Sequence, residues 1–307
     1  MPATAALTDA AHTDAATKEA RLHEVLRGYQ QVMVAFSAGV DSTYLLDVAR
    51  EVHGEQVTAV TADSPSLART SLVEAEAFCR ERGIRHIVVP TDEFEQEEYL
   101  ANDGRRCYHC KAALMRAMNG LAAATRRERG ERGEVALLIG AIADDLGDYR
   151  PGMQAAREAG ARWPLADLGF TKVEVRERSR ARDLPTWNRA AEPCLSSRVP
   201  YGERVTVAGL RMIEQAEQVL KDRGFPVCRA RHHRVGDERS TTQNFLCRIE
   251  VPKADLPRLV ALTDSVVPAI RALGYANVTI DLAGFTSGGF NALLTKTSDI
   301  GHRTSDV

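Results

Sequence analysis

The sequence predicts an α/β protein: a parallel sheet flanked by helices, followed by a smaller C-terminal α+β domain. Three observations lead there. Short apolar runs rich in β-branched residues alternate with amphipathic helical stretches from residue 32 to residue 140, the pattern of βαβ units. The first of those runs stops at a loop of small residues that opens directly into a helix. Beyond Thr206 the alternation gives way to a helix and then several strands.

Taken in order, residues 32–36 (VMVAF) read as a buried parallel strand that stops at Ser37-Ala38-Gly39. A helix is expected from Ser42 to about His53, a strand over 57–61, a helix over 68–82 and a strand over 86–89. Gly83 stands just past that helix, where a C-terminal cap belongs. A further helix is expected over 111–125 and a fourth strand over 135–140. Right-handed crossovers make such a sheet parallel. The stretch 126–134 (RRERGERGE) reads as a solvated loop. Thr171-Lys-Val-Glu174 has the spacing of a capping box and opens a helix to about Arg182. Residues 185–202 are irregular. From Thr206 a helix runs to about Arg223 and ends at Gly224; strands follow at 227–234, 244–251 and 277–282, with helical stretches between 253 and 273. The expected organisation is a lead-in over 1–17, a nucleotide domain over 18–203, an α+β domain for substrate binding and oligomerisation over 204–294, and a tail over 295–307.

Composition excludes several classes. With 44% hydrophobic and 27% charged residues, the 307-residue chain is neither disordered nor fibrous. No run of 18 apolar residues marks a membrane span. Forty basic against 42 acidic side chains leave a net charge of −2, so no general nucleic-acid surface is expected and any polyanion site must be local. The N-terminal stretch lacks a basic start and apolar run, and Asp9 and Asp14 argue against a transit peptide; a cytoplasmic location is expected. Six cysteines are too few for a disulfide scaffold, which turns a close cysteine pair into a metal or redox candidate.

The most informative local feature is VMVAF-SAGVDS-TYLL. Small residues at Ser37, Ala38 and Gly39 let backbone N–H groups face an anion, the helix adds its positive end, and Ser37 and Ser42 can donate hydroxyl bonds. No Gly-Lys-Ser/Thr is present, so this is not the Walker pattern. The element resembles the PP-loop ATP pyrophosphatases, whose pattern is Ser-Gly-Gly-x-Asp-Ser after the first strand. That resemblance implies the adenine nucleotide α-hydrolase-like fold, cleavage of ATP between the α and β phosphates, and adenylylation of a substrate. It makes Ser37, Ala38, Gly39, Val40, Asp41 and Ser42 the candidate phosphate loop. Ala38 stands where the family has its first glycine; a positive φ there would strain the loop and alter affinity without removing the site. Asp63 and Ser64 end the second strand at the edge where open α/β sheets bind ligands, and the family contacts adenosine there; a turn-forming Asp-Ser-Pro is the plainer account.

Cys107-Tyr-His-Cys110 is ambiguous by itself among a zinc site, a dithiol redox pair and iron–sulfur ligation. Cys194, in PCLSSRVPYG, is the third candidate; the Arg after it can lower its pKa and bind an anion. Cys79, Cys228 and Cys247 fall in a helix and two strands and read as core. Here the resemblance narrows to the LarE family of ATP-dependent sulfur transferases, which act in making the nickel-pincer nucleotide cofactor of lactate racemase. It runs from about Leu22 to about Leu294 and rests on SAGVDS, TADSPSLAR, RCYHCK, ADDLGDYRPG, LPTW, PCLSSRVPYG and NVTIDLAGFTSGG. The chain departs at Gly140-Ala141-Ile142, where the family usually has Gly-Thr-Asn.

The resemblance implies a small-molecule nucleotide substrate, pyridinium-3,5-biscarboxylic acid mononucleotide, with ATP and Mg²⁺ as co-reactants. It implies one of two sulfur sources. A [4Fe-4S] cluster on three cysteines can hold an extra sulfide, the form that Cys107, Cys110 and Cys194 match; alternatively Cys194 gives up its own sulfur and becomes dehydroalanine. Gly140, Asp144, Asp145 and Arg150 would face the nucleotide, although the two aspartates can equally cap a helix. Lys111 would neutralise pyrophosphate or stand as a surface lysine. Ser197 and Arg198 would hold the substrate phosphate near Cys194. Alternation puts Arg229, Arg231 and His233 on one face of a strand; the resemblance makes Arg229 and Arg231 phosphate ligands, against a surface charge stripe. Glu217 and Asp281 match acidic family positions, moving protons or orienting arginines. A homo-oligomer, commonly a hexamer, is implied as well. The competing classes are another PP-loop product, by amidation or tRNA thiolation, and a non-catalytic nucleotide-binding module.

Overall fold

The structure, a computed structural model, describes residues 14–129, 134–147, 150–236 and 244–285. Its first helix, α1 (Ala15–Arg27), begins inside the stretch expected to be a lead-in. Asp14 caps it by accepting from the Thr17 amide at 2.7 Å, and Leu22 and Leu26 are fully buried on one face. Two apolar residues one turn apart are a short signal, which is why the helix escapes a reading by periodicity. The rest of the lead-in and the tail lie outside the described residues.

The strands β1 (Gln31–Ala35), β2 (Val57–Asp63), β3 (Arg85–Pro90) and β4 (Val135–Ile139) form one parallel sheet in the order β3-β2-β1-β4. Both central faces are covered, as an all-parallel sheet requires. Val32, Val34 and Phe36 point to one core with α1, α2 (Val40–His53), α3 (Arg69–Glu81) and α8 (Lys172–Ala181); Met33 and Ala35 point to the other, with Met115 and Met118 of α5 (Arg106–Arg129) and Ala156 of α6 (Pro151–Glu158). The chain runs outward from β1 to β2 and β3, then returns to place β4 on the opposite side of β1. The order therefore reverses between β1 and β4, and the carboxyl ends of those two strands flank the switch point where open α/β sheets bind ligands.

The expected helix at 111–125 is longer. It starts at Arg106 and continues to Arg129, through the first part of the stretch expected to be a loop. Nothing in Arg-Cys-Tyr-His-Cys-Lys breaks a helix, and Asp103 supplies the start by accepting from the Arg105 amide at 2.7 Å. Cys107 and Cys110 consequently sit one turn apart on a helix. Residues 130–133 lie outside the described residues. The capping box at Thr171 and Glu174 forms as expected: Glu174 Oε2 accepts from the Thr171 amide at 2.8 Å.

The C-terminal part has α9 (Val207–Lys221), capped by Thr206, and a three-stranded sheet of β5 (Arg229–Val235), β6 (Asn244–Glu250) and β7 (Tyr275–Ile280). The pair β5–β6 is antiparallel and β6–β7 parallel, with α10 (Leu256–Ala261) and α11 (Thr263–Arg271) preceding β7. Leu220, Phe225, Ile249 and Ile270 are among its core. Two compact units result, and they are not contiguous spans. Of the described residues, one holds those of 14–63, 69–91 and 111–191; the other holds those of 64–68, 92–110 and 192–285. The expected boundary at 203/204 is replaced by a division at Ala191, because the segment after Glu192 hydrogen-bonds to residues 66 and 99–106. No helix of the described residues is long and apolar enough to cross a membrane.

Candidate functional site

The first unit carries the candidate phosphate loop. Gly39 is the N-cap residue of α2 and makes no side-chain cap bond. The first-turn N–H groups therefore have no side-chain acceptor and, with the positive helix end, suit an anion. Ser37 Oγ and Ser42 Oγ stand 3.2 Å apart, and Ser42 Oγ donates to the Gly39 carbonyl at 3.2 Å. Ala38 has φ of 55°, so the departure from glycine does put an L-residue in the left-handed region. It is held there: its methyl is buried in the core and its carbonyl accepts from Arg189 Nη1 at 3.2 Å. Val40 is also core, so only its backbone can serve a ligand. At the end of β4, Gly140 touches the same turn. A Cβ there would stand 2.8 Å from the Ser42 nitrogen, which leaves room for glycine alone. The next two residues, Ala141 and Ile142, are buried in the two cores and carry no polar side chain.

Around this turn the acidic residues are engaged. Lys172 Nζ donates to both Asp41 carboxylate oxygens, at 2.8 and 2.7 Å. Burial raises the Asp41 pKa, and the Lys172 bond and charge only partly offset it. Asp144 accepts from the Lys172 amide at 2.7 Å, and Asp145 from the Ile142 amide at 3.0 Å while pairing with Arg150 at 2.5 Å. Both aspartates thus cap backbone, the alternative that their position allowed. Asp63 pairs with Arg69 at 2.6 Å on the surface. Lys111 lies on α5 in this unit.

The second unit carries the three candidate cysteines. Cys107 is exposed and Cys110 half-buried near the start of α5; Cys194 is half-buried at the head of the short 3-10 turn Leu195–Arg198. None of the six cysteines is in a disulfide. The three stand around two buried side chains. Arg106 is 4% exposed and donates from Nη1 to Asn102 Oδ1 at 2.5 Å and to the Ser196 carbonyl at 2.8 Å. Burial alone would lower its pKa; Cys194, Cys107, Tyr201 and Tyr99 together outweigh this and raise it. Burial pushes the Tyr99 hydroxyl up, reinforced by Cys194 and Cys110. Tyr201 is likewise pushed up by burial, with Cys107 and Cys194 adding to it against Arg106. Cys194 thus shares Arg106 with Cys107 and Tyr99 with Cys110. Among the described residues, no three His, Cys, Asp or Glu side chains form a shell for a single metal ion. As a donor set, three thiols beside a buried cation match an iron–sulfur cluster in chemistry, since thiolate is the ligand that iron takes.

Next to Cys194, Arg198 is 2% exposed. It pairs with Glu217 through Nε at 2.8 Å and Nη2 at 2.9 Å, while Nη1 donates to the carbonyls of Pro193 at 2.5 Å and Cys194 at 3.1 Å and to Ser197 Oγ at 3.0 Å. Glu217 Oε1 also accepts from the Ala230 amide at 3.1 Å. Arg231 forms a two-point pair with Glu250 at 2.9 and 2.8 Å and donates to the Ser197 carbonyl at 2.9 Å. Arg229 lies over the Phe285 ring at 5.0 Å, and burial, then Arg198, lower its pKa. Asp281 pairs with Arg248. Burial lowers His233 to about 4, helped by Arg248 and Arg231, and His232 to about 4, helped by His233. Neither is part of a metal shell among the described residues.

No protein-family model matches the chain. Over 282 residues it is 36% identical to the pyridinium-3,5-bisthiocarboxylic acid mononucleotide synthase of Lactiplantibacillus plantarum, covering 92% of this chain and 96% of that one. The chain belongs to that synthase family, LarE. It is also 39% identical to an uncharacterized protein of Synechocystis sp., covering 91% of this chain and 99% of the relative, and 22% identical over 258 residues to one of Methanocaldococcus jannaschii. For this LarE-family chain, sequence reasoning passed over Asn102, Arg106, Lys172 and Glu250. Arg106 stood in the quoted RCYHCK, but its burial depends on chain from beyond residue 192. The signal for Glu250 was cross-strand register, since Arg229 faces Glu250 and Arg231 faces Arg248.

Proposed function

We propose that the chain is an ATP-dependent sulfur transferase that converts a carboxylate of pyridinium-3,5-biscarboxylic acid mononucleotide into a thiocarboxylate. What carries this reading is the gathering of Cys107, Cys110 and Cys194 around Arg106 and Tyr99, in a chain of a family named for a bisthiocarboxylate product. A carboxylate is a poor acyl donor because oxide would have to leave. In the first step a carboxylate oxygen attacks the α-phosphorus of ATP and pyrophosphate departs. In the second, a sulfur nucleophile attacks the acyl carbon and AMP leaves with the carboxylate oxygen, so one oxygen is exchanged for sulfur.

The chain's residues divide that work. Ser37, Ser42 and the first-turn amides of α2 bind the departing phosphates. Asp41 is the carboxylate nearest them and would exchange Lys172 for Mg²⁺, which spreads the phosphate charge. Arg229 and Arg231 bind the substrate phosphate, with Glu250 and Glu217 fixing the strand that bears them. Cys107, Cys110 and Cys194 would hold a [4Fe-4S] cluster, which when bound supplies a transferable sulfide. Arg198 holds the Cys194 carbonyl and so the backbone that bears that thiol.

Anaerobically reconstituted protein tests the reading with ATP, sulfide and the dicarboxylate mononucleotide. Pyrophosphate release with a mass change of oxygen to sulfur in the product supports it, as does iron and acid-labile sulfide that disappears on replacing any one of the three cysteines. ATP binding without pyrophosphate release would overturn it in favour of a nucleotide-binding module. Thiocarboxylate formed without iron, with loss of H₂S from Cys194 after one turnover, would retain the reaction and replace the cluster by a sacrificial cysteine.

A further inference from the structure

We infer that Asn102 and Arg106 are positioning residues that set the separation between the Cys107/Cys110 pair and Cys194, so that thiols on two distant stretches of chain act as one site. The inference rests on the sulfur-transfer reading for its purpose, but its geometry is independent of it.

Asn102 is fully buried and has φ of 55°, a conformation that few non-glycine residues adopt. Its side-chain amide donates to the carbonyls of Pro200 at 2.7 Å, Glu203 at 2.9 Å and, more weakly, Val199 at 3.4 Å. Its own carbonyl accepts from the Gly202 amide at 3.0 Å, and its Oδ1 accepts from Arg106 at 2.5 Å. Arg106 carries the connection to the Ser196 carbonyl, and Tyr99 hydroxyl adds a bond to Ser196 Oγ at 2.8 Å.

The Asn102–Arg106 bond ties the stretch 99–106 together, and each of the others joins it to the stretch 196–203. Both stretches end at thiols: Arg106 adjoins Cys107, and Ser196 is two residues from Cys194. A satisfied buried polar network permits one arrangement, whereas apolar contacts would permit sliding. Arg106 is the natural member to stand beside the thiols, because its guanidinium stays charged and offers donors in a fixed fork.

The test is thiol bridging in the full-length chain bearing Cys110→Ser, so that Cys107 and Cys194 are the reactive pair. Dibromobimane, which fluoresces after joining two thiols, reports bridging; monobromobimane reports the reactivity of each thiol alone. The ratio of the two rates isolates geometry, since general loosening raises both. Asn102→Gly removes the amide and keeps the backbone conformation. The expected result is ready bridging in the parent and a fall of at least about fivefold in the ratio for Asn102→Gly, with a smaller fall for Arg106→Lys. Should either variant fail to fold, Tyr99→Phe removes one hydroxyl only and should lower the ratio about twofold. An unchanged ratio in folded variants, or no bridging in the parent, overturns the inference. The assay uses neither ATP nor substrate, so failure of the sulfur-transfer reading appears separately, as absent thiocarboxylate in the unaltered protein.

Discussion

The phosphate loop and the thiol region are built on opposite principles. The loop is a contiguous run, Ser37–Ser42, whose proposed anion-binding groups are backbone amides and two hydroxyls; its shape follows from β1, α2 and one glycine across the switch point. The thiol region draws on three separated stretches, 64–68, 92–110 and the chain beyond Glu192, joined by buried side-chain bonds. The difference teaches that a backbone turn can keep its shape with a changed side chain, as it does at Ala38, while a side-chain site depends on every partner.

The largest effect should come from breaking the buried pair beside Cys194. Removing one partner of such a pair leaves an uncompensated charge and costs about 3–5 kcal/mol. Glu217→Ala strands Arg198 and also removes the acceptor of the Ala230 amide. Urea unfolding should show that loss, and alkylation of Cys194 should quicken as its loop loosens. A loss below about 1 kcal/mol would mean that the side-chain region is as forgiving as the loop.

Next comes pH. His232 is buried against Tyr275 and Phe245, with a folded pKa of about 4 against an ordinary 6.5. The unfolded chain therefore binds the proton first. Stability is fully present above about pH 6.5 and is lost as pH falls toward 4, by on the order of 2–3 kcal/mol. Replacing His232 with Gln should flatten that slope relative to the parent, measured by urea unfolding at several pH values. Parallel slopes would show that other groups, the buried His233 and the carboxylates among them, set the acid limit.

The same contrast explains what was legible. The sheet, its capping box and the loop could be read because each is encoded within a few residues: period, breaker and cap. α1 was missed because only Leu22 and Leu26 mark its face. The thiol region was half legible. Its cysteines stood out by chemistry, but Asn102 and Arg106 are ordinary surface types in sequence, and only the return of the chain after Glu192 buries them. The engagement of Arg198 with Glu217 and Arg231 with Glu250 likewise needs tertiary neighbours that no local pattern names.

Within the loop the sensitive point should be glycine, not alanine. Gly140→Ala drives a methyl against the backbone of Asp41 and Ser42, which cannot move without shifting the α2 first turn. Overpacking of this kind costs about 1–3 kcal/mol, and ATP affinity should fall roughly tenfold by calorimetry. Retained affinity would mean that the first turn is not where phosphate binds.

The smallest effect is expected at Ala38. Glycine there would relieve about 1 kcal/mol of left-handed strain. It would also remove a buried methyl, worth about 0.8 kcal/mol, and free the unfolded chain by about 0.5–1 kcal/mol. These oppose each other, so Ala38→Gly should shift unfolding by less than about 1 kcal/mol and leave ATP affinity within about threefold. That outcome would place the loop's function in its backbone, which Arg189 and the core already hold in shape. A gain in affinity beyond tenfold would instead show that the methyl side chain restrains the loop. The backbone site would then depend on a side chain after all, as the thiol region does.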